Sequence, residues 1–329
     1  MIRTLLRLAL LAAIAVAGWM AYFVTTPLTL PQTPYEFTLK HGSSLRSVAR
    51  QLVEAKILSE PWSFTALVRM QGKQGEIKAG NYYLENDPTP LKLFRMITRG
   101  DVSQSEIAFI EGWNFRRMRQ ALDGHQAVRH DTAQLTEREI LQEIGAQEEV
   151  AEGLFFPDTY YFSSGMSDLA ILKRAYQAMQ THLADAWAER DPLLPYQTPY
   201  EALIMASIVE KETGRASERP LIAGVFINRL RINMRLQTDP TVIYGLGENF
   251  DGNLRRTDLT RDTPYNTYTR FGLPPTPIAM PGSGALQAAV HPAATRALYF
   301  VGKGDGTHKF SASLAEHNLA VARYQLNRK

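Results

Sequence analysis

Hydrophobic and polar positions fall into three regimes along the chain. From Leu8 to Val24 no charged residue occurs and almost every position is apolar, the pattern of a helix surrounded by hydrocarbon rather than one with a wet face. Arg3 and Arg7 precede this run, and Thr25, Thr26 and Pro27 follow it. At a rise of ~1.5 Å per residue the run gives a helix of roughly 25 Å, near the lower limit for spanning, and snorkelling arginines extend its reach. The two arginines orient the N-terminus towards the cytoplasm. A cleaved signal peptide is the competing reading, because Ala15-Val16-Ala17 fits the small-residue cleavage pattern. Cleavage there would leave an exposed apolar start from Gly18 to Val24, whereas an uncleaved anchor sets Trp19 and Tyr22 at the far interface, where aromatic rings are favoured. Both readings export the rest of the chain.

After residues 1–25, read as cytoplasmic tip and transmembrane anchor, Pro27, Pro31 and Pro34 break any periodicity. Residues 26–35 are therefore expected to be a short stiff linker. The pattern then becomes that of a small mixed module over 36–102. Glu36 to Leu39 reads as a strand and His41-Gly42 as a turn. Ser44 is placed to cap a helix whose apolar positions Leu45, Val48, Ala49 and Leu52 recur at spacings of three and four. A second helix starts near Ser59 and carries Trp62, Phe64, Leu67 and Val68. After Gly72 and Gly75, Gly80 to Leu84 reads as a returning strand. A third stripe, Leu91, Phe94, Met96 and Ile97, ends at Arg99-Gly100 with a basic last turn and a glycine stop. The run from Phe37 to Ala49 resembles the opening of a LysM module, and the resemblance implies binding of N-acetylglucosamine-containing glycans. The alternative is a packing domain that holds the remainder off the membrane.

Residues 103–329 form the third regime, expected to be a larger mixed α+β domain. Ile107 to Ile110 is strand-like, Glu111 to Asn114 turns, and a helix with Met118 and Leu122 follows. Alanine-rich helices are expected over Leu169 to Trp187 and Ala202 to Thr213. With 45% hydrophobic and 21% charged residues over a length of 329, the chain is globular and long enough for two domains. Its 36 basic and 33 acidic side chains leave a net charge of +3 without a long single-sign run, so no nucleic-acid partner is expected. The absence of cysteine excludes thiolate nucleophiles, thiolate zinc sites and disulfides.

Ala202 to Val209 is almost wholly apolar, and Glu210-Lys211-Glu212-Thr213 follows it. Ile204, Met205 and Ile208 share a helical face, which Glu212 continues one turn further. A carboxyl group at such a rim loses solvent, which disfavours its charged form and raises its pKa into the range of a general acid. Thr213 sets a hydroxyl beside it, and Gly214 releases the helix. Glu210 lies about 200° away at 100° per residue, so the two glutamates cannot serve one site. Taken by itself, Glu210-Lys211-Glu212 could also be the solvated end of a buried helix.

Two more segments carry candidate chemistry. Gln237-Thr238-Asp239 crowds donors and acceptors into three positions before Pro240, suiting a hydroxyl-rich sugar. Taken alone, capping preference favours an Asp-Pro turn capping a helix that begins at Thr241. Thr263 to Thr269 alternates rings with small polar groups: Tyr268 offers a flat platform, and Asn266 could hold an acetamido group. Packed tyrosines in an ordered loop are the alternative. Gly272 to Gly282 continues it as a proline-stiffened loop. His291, His308 and His317 are too scattered to argue for a metal cluster.

These segments, in this order, resemble the endolytic murein transglycosylase family, also called YceG-like or MltG-type. The resemblance rests on Glu152 to Tyr160, Ala206 to Thr213, Ala216 to Arg219, Val225 to Leu230, Leu236 to Thr241, Tyr265 to Tyr268 and His291-Pro292. It implies a peptidoglycan lytic transglycosylase with Glu212 as catalytic acid/base and with Thr213, Gln237, Asp239, Asn266 and Tyr268 binding substrate. It implies cleavage of the β-1,4 bond from N-acetylmuramic acid to N-acetylglucosamine inside nascent strands, leaving 1,6-anhydro ends, with no metal and no cofactor. Peptidoglycan strands, the membrane and peptidoglycan synthases (penicillin-binding proteins) are the partners it points to. The catalytic domain would then be periplasmic, tethered to the inner membrane by one pass. Two other readings stay open: a hydrolytic muramidase using Asp239 or Glu218 as second carboxylate, and a tethered glycan-binding scaffold without catalysis.

Overall fold

The computed structural model describes residues 2–31, 35–40, 42–84, 88–100, 104–163 and 165–326. His41, the linker residues 32–34 and the expected boundary at 102/103 lie outside the described residues, as do the side chains of Ala9 and Ala13 in the expected apolar span. The chain divides into two compact units, Met1–Glu106 with Tyr161–Met166, and Ile107–Tyr160 with Ser167–Lys329. The return of the chain to the first unit, at Tyr161–Met166, is not announced by any sequence pattern.

The first unit opens with helix α1 (Ile2–Thr25) of 24 residues. Among the described residues no helix is long and apolar enough to cross a membrane. Near its C-terminal end Trp19 stacks on Phe23 at 5.7 Å and on Trp62 at 4.5 Å between ring centroids. The hydroxyls of Thr25 and Thr26 donate to the carbonyls of Ala21 and Tyr22 and so satisfy last-turn acceptors before Pro27. Strand β1 (Tyr35–Leu39), helices α2 (Leu45–Glu54) and α3 (Trp62–Met70), strand β2 (Gly80–Leu84) and helix α4 (Pro90–Arg99) follow. The strands pair antiparallel, Tyr35 opposite Leu84 and Leu39 opposite Gly80. Ser44 accepts from the Ser47 amide as the cap of α2, and Gly100 ends α4 at a φ of 68°. Val48, Leu52, Phe64, Val68, Leu93 and Ile97 bury the periodic faces in one core. The expected order of strand, helix, helix, strand is present.

The second unit is mostly helical. It contains α5 (Phe115–Asp123), β4 (Val128–Arg129), α6 (Glu137–Ile144), α7 (Asp168–Ala188), α8 (Pro199–Glu212) and α9 (Arg219–Arg231), while β3 (Gln104–Ala108), β5 (Thr159–Ser163) and β6 (Met166–Ser167) are each divided between the two units. These are followed by α10 (Asp239–Leu246), α11 (Arg256–Thr260), α12 (Ser283–Val290), β7 (Tyr299–Gly302), β8 (His308–Ser311) and α13 (Leu314–Val321). The class is mixed α+β, with two-stranded ribbons such as β7–β8, where Tyr299 faces Ser311. Helix α8 is buried along every face from Ala202 to Val209, as expected of a helix apolar all round; α7, α9 and α12 pack against it.

Polar groups on α8 fix the proline-rich loop. Ser207 donates to the Ile204 carbonyl and accepts from the Ile278 amide at 3.0 Å, while Glu210 accepts from the Gly282 amide at 3.0 Å. On the other flank, Gly112 and Trp113 exchange backbone hydrogen bonds with Met280.

Gly153 is seated against the same loop: its φ is +82°, and a Cβ there would lie 2.4 Å from Cβ of Pro277. Gly153→Ala combines a left-handed strain of about 1 kcal/mol with overpacking of about 1–3 kcal/mol. Gly145→Ala, at φ +81° with nothing within 4 Å of the added atom, carries the strain alone. Thermal melting of both variants should therefore rank Gly153→Ala as the more destabilised.

Candidate active site

Glu212 is the last residue of α8, and the loop before α10 reaches it. Its carboxyl accepts a short hydrogen bond from the Thr238 hydroxyl. Burial pushes its pKa up to about 7; the Thr238 hydrogen bond opposes the rise, the Asp239 charge adds to it, and His308 and Arg229 oppose it more weakly. Position at a helix C-terminus works in the same direction, since the exposed carbonyls disfavour negative charge there. The residue is half-buried, so the proton is shielded but accessible.

Thr238 occupies the N-cap position of α10 but makes no capping hydrogen bond with its side chain. The hydroxyl that would ordinarily cap the helix is given to Glu212 instead. Helix α10 starts at Asp239, two residues before the expected start at Thr241, with Pro240 in its first turn. Thr241 donates to the Thr238 carbonyl at 2.8 Å.

The loop carrying Thr238 is laced to the loop carrying Tyr268. The Gln237 amide donates to the Thr267 carbonyl at 3.1 Å, and the Thr238 amide donates to the Thr267 hydroxyl at 3.0 Å. Gln237 itself sits at a φ of +48°, a left-handed conformation uncommon for a residue with a Cβ and characteristic of functional loops. Tyr268 donates to Asp239 at 2.5 Å; burial, then the Asp239 carboxylate, push its phenol above the ordinary range. Gln237 and Asp239 are exposed and Thr213 is buried, its hydroxyl accepting from the Arg215 amide at 3.0 Å.

Asn266 departs from expectation. It is fully buried, and its amide nitrogen donates to the carbonyls of Asp258, Leu259 and Arg261 while its oxygen accepts from the Tyr268 amide. With its donors and one acceptor site spent on backbone, it braces the loop, a role the sequence did not announce. Thr213 has likewise given its hydroxyl to the turn after α8.

Arg229 carries a role the sequence reading missed. Buried on α9, it donates to the carbonyls of Leu298 at 2.6 Å, Leu236 at 2.7 Å and Arg235 at 3.3 Å, holding the chain just before Gln237. Its run Val225 to Leu230 gave no chemical signal beyond a basic last turn. Glu218 accepts from His308 through the backbone amide at 2.9 Å and pairs with Nδ1 at 2.7 Å. Burial raises its pKa, but the His308 hydrogen bonds outweigh this and leave it below the ordinary value. Glu210, on the opposite side of α8, pairs with Arg219 at 2.9 Å.

A cleft of about 970 Å³ runs from Lys211 and Pro240 past Tyr244 and Tyr265 to Trp113 and Arg117. Glu212 does not line it, but its neighbour Lys211 does, as does Asp239's neighbour Pro240. On its wall Glu152 accepts from the Phe115 amide at 3.1 Å. Burial pushes the Glu152 carboxyl up to about 8 against hydrogen bonds from Tyr244 and Phe115. The arrangement therefore combines a proton-holding carboxyl at the end of α8 with a nearby groove lined by rings and by charged side chains of both signs.

Residues 37–323 match the model of the YceG-like family. The chain is 29% identical over 315 residues to a Bacillus subtilis protein named endolytic murein transglycosylase, covering 89% of this chain and 85% of that one. A Streptococcus pneumoniae protein of the same name is 24% identical over 96% of this chain, which spans 64% of that relative's length. A crystal structure of a protein from Listeria monocytogenes described as yceG-like superposes with a TM-score of 0.55 at 28% identity, covering 88% of this chain and all of that one.

The raised pKa of Glu212 has a sign that stability measurements read. The folded state holds a proton that the unfolded chain releases above about 4.5, so the group's stabilising contribution is complete below that pH and is lost as pH rises through about 7. Glu212→Gln removes this dependence, and its melting temperature relative to wild type should be higher at pH 8 than at pH 4. Thr238→Val deletes a hydrogen bond that favours the carboxylate, so any activity requiring protonated Glu212 should keep its alkaline limb at higher pH than in wild type.

Proposed function

The chain belongs to the YceG-like family, and from that premise we propose that it is a membrane-anchored endolytic lytic transglycosylase of peptidoglycan. The observation that carries this reading is the half-buried carboxyl of Glu212 at the end of α8, hydrogen-bonded by Thr238 and poised to hold a proton near neutrality. Glu212 protonates the oxygen of the β-1,4 bond between N-acetylmuramic acid and N-acetylglucosamine as the bond to C1 breaks. The muramyl C6 hydroxyl then attacks C1, its proton passes to the Glu212 carboxylate, and a 1,6-anhydro ring closes. No water is consumed, and one carboxyl suffices because the substrate supplies the nucleophile. Thr238 orients the carboxyl, Asp239 disfavours its ionisation, and Gln237 and Tyr268 border the position of the sugar. The ring-lined cleft receives the strand on one side of the cut, and cutting inside nascent strands terminates their elongation.

Anchoring is part of the proposal. Helix α1 is 24 residues long, about 36 Å at 1.5 Å per residue, with Arg3 and Arg7 at its start and exposed Leu8, Leu10, Leu11, Ile14 and Val16 along it. No helix among the described residues is a span by length and apolarity alone; one pass through the inner membrane, N-terminus cytoplasmic and catalytic unit periplasmic near the synthases that make the strands, is proposed on the two leading arginines and the exposed apolar side chains. The strand, helix, helix, strand order of the first unit supports a LysM-like module holding glycan.

A hydrolytic muramidase is the second reading, favoured by the charge of Asp239 acting on Glu212. Digestion of peptidoglycan with the full chain, followed by mass spectrometry of the chain ends, should give anhydromuramyl ends. Reducing muramic acid ends would establish the hydrolase instead. Glu212→Gln should lower the rate by ~10²- to 10⁴-fold, while Asp239→Asn keeps part of it. For topology, an enzyme active only in the cytoplasm should be silent when fused after Lys329; activity there would refute the proposed orientation.

A further inference from the structure

Helices α2 and α3 of the first unit form a basic pocket that the glycan chemistry does not use. Arg46 and Arg50, one turn apart on α2, face Arg69 of α3 across a hollow of about 410 Å³ whose remaining lining is Pro61, Trp62, Thr65 and Ala66. No acidic side chain lines it, and none of the three arginines enters an ion pair among the described residues. Three uncompensated guanidinium groups converging on one hollow ask for an anion with several acceptor oxygens.

Trp62 belongs to this pocket and also to a second one. On its other side a cleft of about 760 Å³, where α1 ends, is lined by Trp19, Tyr22, Phe23, Leu28 and Ile57 together with the charged Lys56 and Glu60, the Glu60 carboxylate accepting from the Trp62 amide. Trp62 remains 58% exposed even though it stacks on Trp19 at 4.5 Å. An anion-seeking pocket and an aromatic, largely apolar cleft thus share one indole wall. That pairing is the signature of an amphiphile site: a phosphate on one side of the ring and an acyl chain on the other.

We propose that Arg46, Arg50, Arg69 and Trp62 bind the phosphate headgroup of an anionic phospholipid whose acyl chain lies along the Trp19, Tyr22 and Phe23 cleft. The site rests on the proposed anchor for its access to lipid, because an α1 that crosses the bilayer brings Trp19 and Tyr22 to the outer headgroup layer. Lipid capture there would hold the first unit against the membrane surface, close to where nascent strands emerge.

The test uses the full chain in maltoside micelles, titrated calorimetrically with dihexanoyl phosphatidylglycerol, dihexanoyl phosphatidylcholine, inorganic phosphate and a soluble disaccharide-peptide. Saturable binding of phosphatidylglycerol is expected, at least tenfold tighter than the zwitterionic lipid or inorganic phosphate. Replacing all three exposed arginines by alanine should weaken it about a hundredfold, at roughly fivefold per basic side chain, without a change in melting temperature. Lysine at the three positions should restore much of the affinity. Unchanged binding by the alanine variant, equal affinity for phosphatidylcholine or inorganic phosphate, or tighter binding of the disaccharide-peptide at these arginines would each overturn the proposal. Alkaline washing of membranes tests the anchor separately: a chain that is washed off yet still binds phosphatidylglycerol loses the anchor and keeps the lipid site.

Discussion

The loops around Glu212 deny its carboxylate part of the solvation it would have in water, and the site is organised about that constraint. A carboxyl at the end of an apolar helix faces two costs on ionisation: lost hydration and the negative pole of its own helix. Thr238 offsets part of this by donating to it, and Asp239 adds to it by its charge. The balance settles near neutrality, where one group can both give and take a proton. A glutamate in free solvent would be ionised and inert as an acid; one buried without Thr238 would release its proton too reluctantly to serve next as a base.

Such a balance holds only if the surrounding backbone stays put, and buried polar groups see to that. Arg229 gathers three carbonyls from two separate stretches of chain, Thr267 receives the amide of Thr238, and Asn266 closes its own loop on itself. Each is a buried group with its hydrogen bonds satisfied, and loss of any one would leave an orphaned partner at a cost of about 1–3 kcal/mol. Ser207 and Glu210 perform the same service between α8 and the proline-rich loop. The two glutamates of the Glu-Lys-Glu run have thus separated into unlike tasks, one braced by Arg219 and a backbone amide, the other left with a hydroxyl and a proton.

Periodicity made several helices of both units legible, though not α6, α11, α12 or α13. The stripe Leu45, Val48, Ala49, Leu52 and the apolar run before Glu210 lead directly to α2 and α8, and an i, i+4 count suffices to place Glu212 at a buried rim. Which polar groups of the neighbouring loops would touch that rim was less legible, because composition does not say where a hydroxyl or amide is spent. The Asp239-Pro240 turn reads as the cap of a helix starting at Thr241, yet Thr238 holds the cap position and gives its hydroxyl to the carboxyl; Asn266 reads as a sugar ligand, and its amide is hydrogen-bonded to backbone. Arg229 lies inside an apolar helix with no local cue to the carbonyls it would collect from residues up to 69 positions away. These are long-range satisfactions of buried polar groups, decided by the packed structure and invisible to local pattern.

The most direct measurement is titration of the Glu212 carboxyl itself. Carbon-13 spectra of the full chain labelled at glutamate carboxyls, recorded from pH 3 to 10 and assigned by difference against Glu212→Gln, should show this group titrating near 7. The Glu152 resonance, assigned from Glu152→Gln, should titrate separately near 8. A Glu212 that titrates near 4.5, like a solvent-exposed glutamate, would contradict the account, because the side chain would then carry no proton to give at neutral pH.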